Sequence, residues 1–383
     1  MDTLRPQKIL VALGTRPEAI KLASTIQTLA RDGFAVETFF SMQHADLARP
    51  VLDFFNLDMR HRGEPPRAGC SLPDLTPHIM SAFNRVLDRG RPDLVLVQGD
   101  TATAAACALS AFYARVPVGH VEAGLRTFRL DEPFPEEANR QIIARVARFH
   151  FTPTEAGRLN LIRDGVSGGI FVTGNTGMDA LRLACERLEQ NPNAADCVAP
   201  HSPILTMTIH RRENFGPRIE AIFRTVKDWA AKQPDLTVVV PAHPNPEAMR
   251  PAQEILSGCP NVRLIDALDY PEMVALLRKT ALLVTDSGGL QEEANALGIP
   301  TIVARDQTER TEIVTSPLVR LSGADPDRLK SALEHFGAPT TRLRRFDPAN
   351  VYGDGHAAER ISAILRALPP RPVLQKPLHE AVT

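Results

Sequence analysis

Ala281-Leu-Leu-Val-Thr-Asp-Ser-Gly-Gly-Leu-Gln-Glu-Glu-Ala294 is the stretch whose reading decides the fold. Ala281–Thr285 is a short apolar run suited to a buried strand, Gly288-Gly289 a tight turn, and a helix is expected to open at about Leu290. Gly298 and Pro300 stop that helix, and a second strand, Ile299–Ala304, follows at once. A helix whose first turn is fed by Ser287, Gly288 and Gly289 presents free backbone N–H groups and the positive end of its dipole. Those groups suit a phosphate, and glycine lets phosphate oxygens approach the backbone. Glu293 lies one turn further on. A carboxylate there repels phosphate, but it can accept hydrogen bonds from a sugar diol. Together these features describe a nucleotide site for diphosphate and ribose. The same residues also read as a Gly-rich βα turn with acids placed to complement the helix dipole, and the segment alone does not choose between the two.

The alternation of strand and helix extends outward in both directions, which predicts an α/β chain with parallel sheets covered by helices. Strands are expected at Lys8–Leu13, Val36–Phe40, Asp93–Val97 and Val116–Val121, and again at Ile204–Thr208, Thr237–Val240, Val262–Ile265, Ala281–Thr285 and Ile299–Ala304. Between the two sets, Asn191-Pro-Asn and Ala199-Pro-His-Ser-Pro203 have the chemistry of a linker. We therefore expect an N-terminal domain over 1–185 and a C-terminal domain over 200–350. A closing helix over 356–370 is expected to pack back on the first. Such doubly wound domains bind ligands outside the carboxyl ends of their strands. The polar motifs Thr15-Arg16, Gln98–Thr101, His120-Val-Glu122, His210–Asn214, His243-Pro-Asn245 and Asp286–Gly289 all follow strands, which points to one shared cleft.

Composition narrows the class. A chain of 383 residues suits roughly two domains. With 43% hydrophobic and 23% charged residues and a net charge of -1, there is no basic field to draw nucleic acid or an anionic membrane surface. Aromatics are scarce at 5%, with one Trp, which argues against base-stacking platforms. The N-terminus lacks the apolar core of a signal peptide, and no run of about 18 apolar residues predicts a membrane span. The five cysteines form no Cys-x-x-Cys pair, so neither a zinc site nor a disulfide framework is indicated, and a cytoplasmic protein is expected. No Gly-x-Gly-x-x-Gly follows the first strand, and no His-x-x-x-His pair or acidic Mg²⁺ run is visible. No NAD, metal or other cofactor is expected.

Asp100 and Glu122 follow strands that should be neighbours, which brings both acids to one rim. Glu136 and Glu137 open a helix, where acids also serve simply as dipole partners. Several acids at one rim suit general acid–base work, which needs carboxylates in different protonation states. His210, beside two arginines, is placed to donate to a leaving phosphate, or lies in a solvated turn. Arg16 suits a diphosphate, and Arg305–Arg310 adds positive charge near the Gly-Gly loop.

Taken in order, Gly14-Thr-Arg-Pro-Glu-Ala-Ile-Lys21, Gly99-Asp-Thr101, His120-Val-Glu-Ala-Gly-Leu-Arg126, Pro135-Glu-Glu-Ala-Asn-Arg140, Thr173-Gly-Asn175, His210-Arg-Arg-Glu-Asn214, Asp286–Glu293, Thr308-Glu-Arg310 and Tyr352-Gly-Asp-Gly355 carry a family resemblance. The chain resembles the non-hydrolysing UDP-N-acetylglucosamine 2-epimerases of bacteria. That resemblance implies a GT-B-like fold, two Rossmann-like domains closing over a nucleotide sugar, and a homodimer. It implies reversible interconversion of UDP-GlcNAc and UDP-ManNAc without NAD or metal. The implied route eliminates UDP to a 2-acetamidoglucal and adds it back, with ManNAc destined for cell-surface polysaccharide. By the same resemblance Asp100, Glu122 and Glu136 take the acid–base roles, with Arg140 nearby and His210 at the diphosphate. Arg16, Ser287, Gly288, Gly289 and Arg310 hold the phosphates, and Glu293 holds the ribose. Lys21 and His243 join the substrate-binding set, and Met273 stands where the family often has an aromatic against uracil. The segment Asp58–Cys70 departs from the family pattern, in a region that helps bacterial members bind a second, activating UDP-GlcNAc. Rival readings are a GT-B glycosyltransferase, a hydrolysing epimerase that releases ManNAc and UDP, and a UDP-sugar sensor without turnover.

Overall fold

The structure, a computed structural model, describes residues 5–67, 69–190, 203–307, 316–337 and 351–369. The linker residues 191–202, the Thr308-Glu-Arg310 motif and the tail beyond Pro369 lie outside the described residues.

Two all-parallel sheets organise the chain. The first contains β1 (Lys8–Leu13), β2 (Ala35–Phe40), β3 (His61–Arg62), β4 (Leu94–Gln98), β5 (Val118–Val121), β6 (Phe149–Thr152) and β7 (Gly169–Val172), in the order β3-β2-β1-β4-β5-β6-β7. The second contains β8 (Ile204–Thr208), β9 (Thr237–Pro241), β10 (Val262–Ile265), β11 (Thr280–Thr285), β12 (Thr301–Val303) and β13 (Val319–Leu321), in the order β10-β9-β8-β11-β12-β13. Between them run α1 (Arg16–Arg31), α2 (Ala45–Phe54), α3 (Leu72–Gly90), α4 (Ala102–Tyr113), α5 (Glu136–Val146), α6 (Glu155–Arg163), α7 (Thr176–Gln190), α8 (Pro217–Ala230), α9 (Pro246–Leu256), α10 (Tyr270–Lys279) and α11 (Gly288–Ala296). The helices Pro326–Gly337 and Ala357–Ala367 follow. Each sheet starts at its centre, grows to one side and then crosses to the other. The strand order therefore reverses between β1 and β4, and again between β8 and β11. At such switch points the loops diverge and leave a crevice. Arg16 follows β1, Asp100 follows β4, His210 follows β8 and Ser287 follows β11, so both crevices are lined by the residues the sequence singled out.

The structure adds β3, β6, β7 and β13, which the alternation does not foresee. These strands are two to four residues long, and His61-Arg62, Phe149-His-Phe-Thr152 and Gly169 interrupt or dilute the apolar run that marks a strand. The helix after β11 also begins earlier than expected. It opens at Gly288 with Ser287 in extended backbone before it, so the two glycines form its first turn rather than a turn ahead of it.

The central strands are buried on both faces, as parallel strands under helices should be. In α1, Leu22, Ala23, Ile26 and Leu29 recur at helical spacing and enter the first core. The last helix, Ala357–Ala367, joins that core through Ile361 and Leu365. Its opening amides donate to the Asp179 carboxylate, at 3.1 Å from Ala357 and 2.8 Å from Ala358, and Ser362 Oγ donates to Asp32 at 2.6 Å. The chain thus leaves the second sheet and returns to the first. The second domain contributes to the same core, because α10 buries Tyr270, Val274 and Ala275 there. The Tyr270 ring lies 6.0 Å from that of Phe55. This apolar seam fixes how the two crevices face each other.

Candidate active site

The crevices merge into one cleft of about 1060 Å³. Asp100, Glu122, Glu136, Arg140, Arg16 and Lys21 line it from the first domain; His210, His243, Met273, Ser287, Gly288, Gly289 and Glu293 line it from the second. Arg310 falls outside the described residues. Not every motif residue faces the cleft. His120 is 1% exposed and lies beneath the rim, donating from Nε2 to the Gly99 carbonyl at 2.7 Å. Its imidazole is pushed down to about 3, first by burial and then by the neighbouring His150. It is therefore a neutral strut under the Gly99-Asp100 turn.

On the first domain, β4 and β5 pair with Gln98 opposite Val121, so the two acids that follow them share a rim. Asp100 accepts a hydrogen bond from Arg140 Nη2 at 2.5 Å. Arg140 is in turn braced by Glu137 at 3.3 Å. Glu137 is wholly buried and also accepts the amides of Thr127 and Phe128, so of the two acids at the start of α5 it holds the framework while Glu136 faces the cleft. Glu122 has a positive φ of 62°, a conformation that costs a non-glycine residue energy and turns its carboxylate off the end of β5. It accepts from Gln98 Nε2 and from Lys21 Nζ, the latter at 2.6 Å.

Glu18 ties the two crevice turns of the first sheet together. It accepts from the amides of Gly14 and Thr15 at 3.0 and 2.9 Å, and from the hydroxyls of Thr15 and Thr101 at 2.8 and 2.6 Å. Arg16 and Asp100 flank these anchors. The sequence shows Glu18 only as a capping-box acid beside Thr15. Its burial outweighs the hydrogen bonds and pushes the carboxyl up to about 7. An unfolded glutamate ionises near 4.5, so between these values the folded chain binds more protons and stability falls as pH rises. The difference is worth up to roughly 3 kcal/mol and is complete above the folded value. Urea unfolding at pH 5 and pH 7.5 should show wild type losing more stability than Glu18→Gln. Equal losses in both proteins would remove Glu18 as the source.

On the second domain, Asp286 is buried and organises the turn after β8. It accepts the amides of His210 and Arg211, at 3.0 and 2.8 Å, and the Asn214 side chain at 3.0 Å. The sequence placed Asp286 among the cleft motifs, but the structure gives it this bracing position instead. His210 Nδ1 lies 3.5 Å from Asp286, and its ring stacks on His243 with centroids 4.7 Å apart. Burial lowers the His210 pKa, Asp286 opposes that shift, and His243, Arg211 and Arg16 add to it. The amide of Asn245 donates to His243 Nδ1 at 3.2 Å, which leaves Nε2 to carry the ring proton.

Ser287 supplies no side-chain cap to α11, and a Cβ built on Gly289 meets nothing within 4 Å. An uncapped helix N-terminus with open space before it is suited to an anion. Arg16, from the other domain, is close enough for its charge to act on His210, His243 and Glu293. The Glu293 carboxyl is raised to about 7 by burial and by the charge of Glu292. The Tyr270 hydroxyl lies beside it without closing a hydrogen bond of ordinary geometry. Glu292, one residue earlier, turns toward the first domain, where it accepts from Asn175 Nδ2 at 2.9 Å and lies 3.8 Å from Lys21 Nζ. Sequence reasoning did not single out Glu292, although the Asp286–Glu293 motif contains it. Among the described residues no cluster of His, Cys, Asp or Glu is arranged to hold a metal ion, and no helix is long and apolar enough to cross a membrane.

The cleft thus has carboxylates and Arg16 on the wall of the first domain and an uncapped helix N-terminus with two histidines on the wall of the second. A family model for UDP-N-acetylglucosamine 2-epimerase matches residues 27–366. A Yersinia pestis UDP-N-acetylglucosamine 2-epimerase is 41% identical, across 94% of this chain and 98% of its own length. The Escherichia coli K12 enzyme of the same name is 40% identical with the same coverage. The crystal structure of the Neisseria meningitidis UDP-GlcNAc 2-epimerase bound to UDP-GlcNAc superposes with a TM-score of 0.87 at 37% identity, covering 94% of this chain and 99% of that one. An S. aureus protein in a co-structure with UDP superposes with a TM-score of 0.83 at 34% identity, covering 93% and 94%. These neighbours share the two Rossmann-like domains. Matched along nearly its whole length in sequence and fold, the chain belongs to the UDP-N-acetylglucosamine 2-epimerase family.

Proposed function

We propose that this protein interconverts UDP-GlcNAc and UDP-ManNAc in the interdomain cleft. The observation that carries the reading is that Asp100, Glu122 and Glu136 face, across one cavity, the open N-terminus of α11 with His210 and Arg16 beside it. The C2 hydrogen of the sugar is not next to a carbonyl and is barely acidic. If the C1–O bond to UDP breaks early, positive charge grows at C1 and the C2 proton becomes removable. A carboxylate then takes that proton, the C2–H electron pair forms the C1=C2 double bond, and UDP leaves with the C1–O pair. Re-addition reverses each change. A diphosphate oxygen bonds C1 again, and a carboxylic acid on the opposite face returns a proton to C2, which inverts that carbon.

Each part of the site suits one demand of this route. Two faces of C2 need acids from different turns, and β4, β5 and α5 each supply one. The departing diphosphate needs prearranged positive potential, which a helix N-terminus and arginine provide. Holding the unsaturated sugar and UDP together keeps the return step effectively intramolecular. Glu293, further along α11, accepts the ribose hydroxyls. We expect Arg16→Ala to weaken UDP binding by about 10- to 100-fold, the range for a lost charge-assisted hydrogen bond, as read by calorimetry. An unchanged Kd would take Arg16 out of the cradle.

Incubation with UDP-GlcNAc in D₂O tests the reaction. Deuterium at C2 in both UDP-sugars is the expected result. A glycosyltransferase or a binding-only protein leaves C2 unlabelled. A hydrolysing enzyme releases free ManNAc and UDP as its main products.

A further inference from the structure

Glu292 and Asn175 form a buried polar contact between the two domains, and Glu292 also lines the cleft. Glu292 is 3% exposed and Asn175 2%, and the hydrogen bond between them is 2.9 Å long. Asn175 is itself fixed. Its Oδ1 accepts the Gly177 amide at 2.8 Å at the start of α7, and its amide donates to the Tyr352 carbonyl at 2.7 Å. The same Glu292 oxygen lies 3.8 Å from Lys21 Nζ, and Lys21 reaches Glu122 at 2.6 Å. A chain of charge and hydrogen bonding therefore runs from α11 of the second domain to the acid at the end of β5 in the first. The first turn of α11 is the anion cradle, so a diphosphate seated there fixes the helix that carries Glu292. Buried polar groups are costly unless paired, so this contact favours one relative placement of the domains over others.

Resting on the epimerase reading above, we infer that Glu292 is a positioning residue: through Asn175 and Lys21 it latches the second domain to the first and keeps the cleft shut on UDP and the glycal between elimination and re-addition. The latch is distinct from the apolar seam made by α10, which lets the domains stay packed when it opens. Without it the intermediate pair escapes before the proton returns to C2.

The test follows UDP-GlcNAc turnover by NMR and compares free UDP plus 2-acetamidoglucal with UDP-ManNAc. Glu292→Ala should raise released over epimerised product by about tenfold and lower kcat by a similar factor, with the UDP Kd little changed, a coupling of ordinary size between two sites. Glu292→Gln keeps an acceptor for Asn175 and should recover most of the lost partition. Asn175→Asp keeps the cap on Gly177 but sets a second carboxylate against Glu292. It should reproduce the leak in a chain of unchanged volume, which keeps the test decisive if Glu292→Ala does not fold. A partition like wild type in Glu292→Ala or Asn175→Asp overturns the latch, and so does a fall in melting temperature alone. Wild-type protein that puts no deuterium at C2 removes the epimerase reading and the latch together. Normal labelling with an unchanged partition removes the latch alone.

Discussion

Asp100→Asn is expected to lower kcat for C2 epimerisation by about 10²–10⁴-fold while leaving UDP affinity within about threefold, as for a lost acid–base group that touches only the sugar. The substitution keeps the size of the side chain and an oxygen that can accept from Arg140, which donates to Asp100 at 2.5 Å. Arg140 also keeps its brace on Glu137, so the wall should not collapse. What disappears is a group able to gain and lose a proton beside the sugar. Asp100 is held by Arg140 of its own domain, while the α11 N-terminus and the turn after β8 lie on the other. Turnover and nucleotide binding should therefore separate. Deuterium exchange at C2 measured with saturating UDP-GlcNAc, alongside UDP titration by calorimetry, provides both readouts. If exchange continues at the wild-type rate, Asp100 is not an acid or base here. If UDP affinity falls as far as kcat, its place is in binding rather than chemistry.

The parts of this site that were legible in the sequence are those fixed by short-range rules. Strand-then-polar-turn spacing placed Arg16, Asp100, Glu122, His210 and Ser287 at strand ends, and parallel topology then brought Glu122 beside one switch point and the other four to the two switch points themselves. The strands that were not foreseen are the short outer ones. Phe149–Thr152 carries His150 in its middle and Gly169–Val172 begins on glycine, so neither forms the continuous apolar run that marks β4 or β11. Their strand character comes from pairing with neighbours, which no local window contains.

The supporting residues were hidden for a different reason. Glu18, Asp286 and Glu292 each sit inside a motif that reads as functional, yet each spends its carboxylate on another part of the chain. Glu18 reaches Thr101 across 83 residues, Asp286 braces the His210 turn from 76 residues away, and Glu292 meets Asn175 across 117 residues. A sequence shows that a carboxylate is present but not which way it faces. Within Glu292-Glu293 both residues line the cleft, but Glu292 also accepts from Asn175 of the other domain. The helical turn separates adjacent side chains by about 100°.

Lys21 and Glu122 give the second large effect. Their side chains are 14% and 5% exposed, so the pair is mostly desolvated and loss of one partner leaves a costly charge. Lys21→Met removes the cation that lies 2.6 Å from Glu122 and 3.8 Å from Glu292, between two buried carboxylates. It is expected to cost about 3–5 kcal/mol in urea unfolding, the usual range for a broken buried pair. Glu122→Gln should cost much less, because the amide oxygen still accepts from Gln98 and Lys21 keeps Glu292. The double variant should be more stable than Lys21→Met alone, since the unpaired charge at 122 is gone. Stability and catalysis then part company. Glu122→Gln and the double variant should both lose about 10²–10⁴-fold in kcat, because neither retains a carboxylate to exchange a proton with C2. Recovery of turnover along with stability in the double variant would mean that Glu122 serves the fold alone. Strictly additive costs for the two substitutions would mean that the pair does not interact in solution. Non-additive stability with persistent loss of turnover is the pattern that assigns Lys21 to holding the carboxylate and Glu122 to the chemistry.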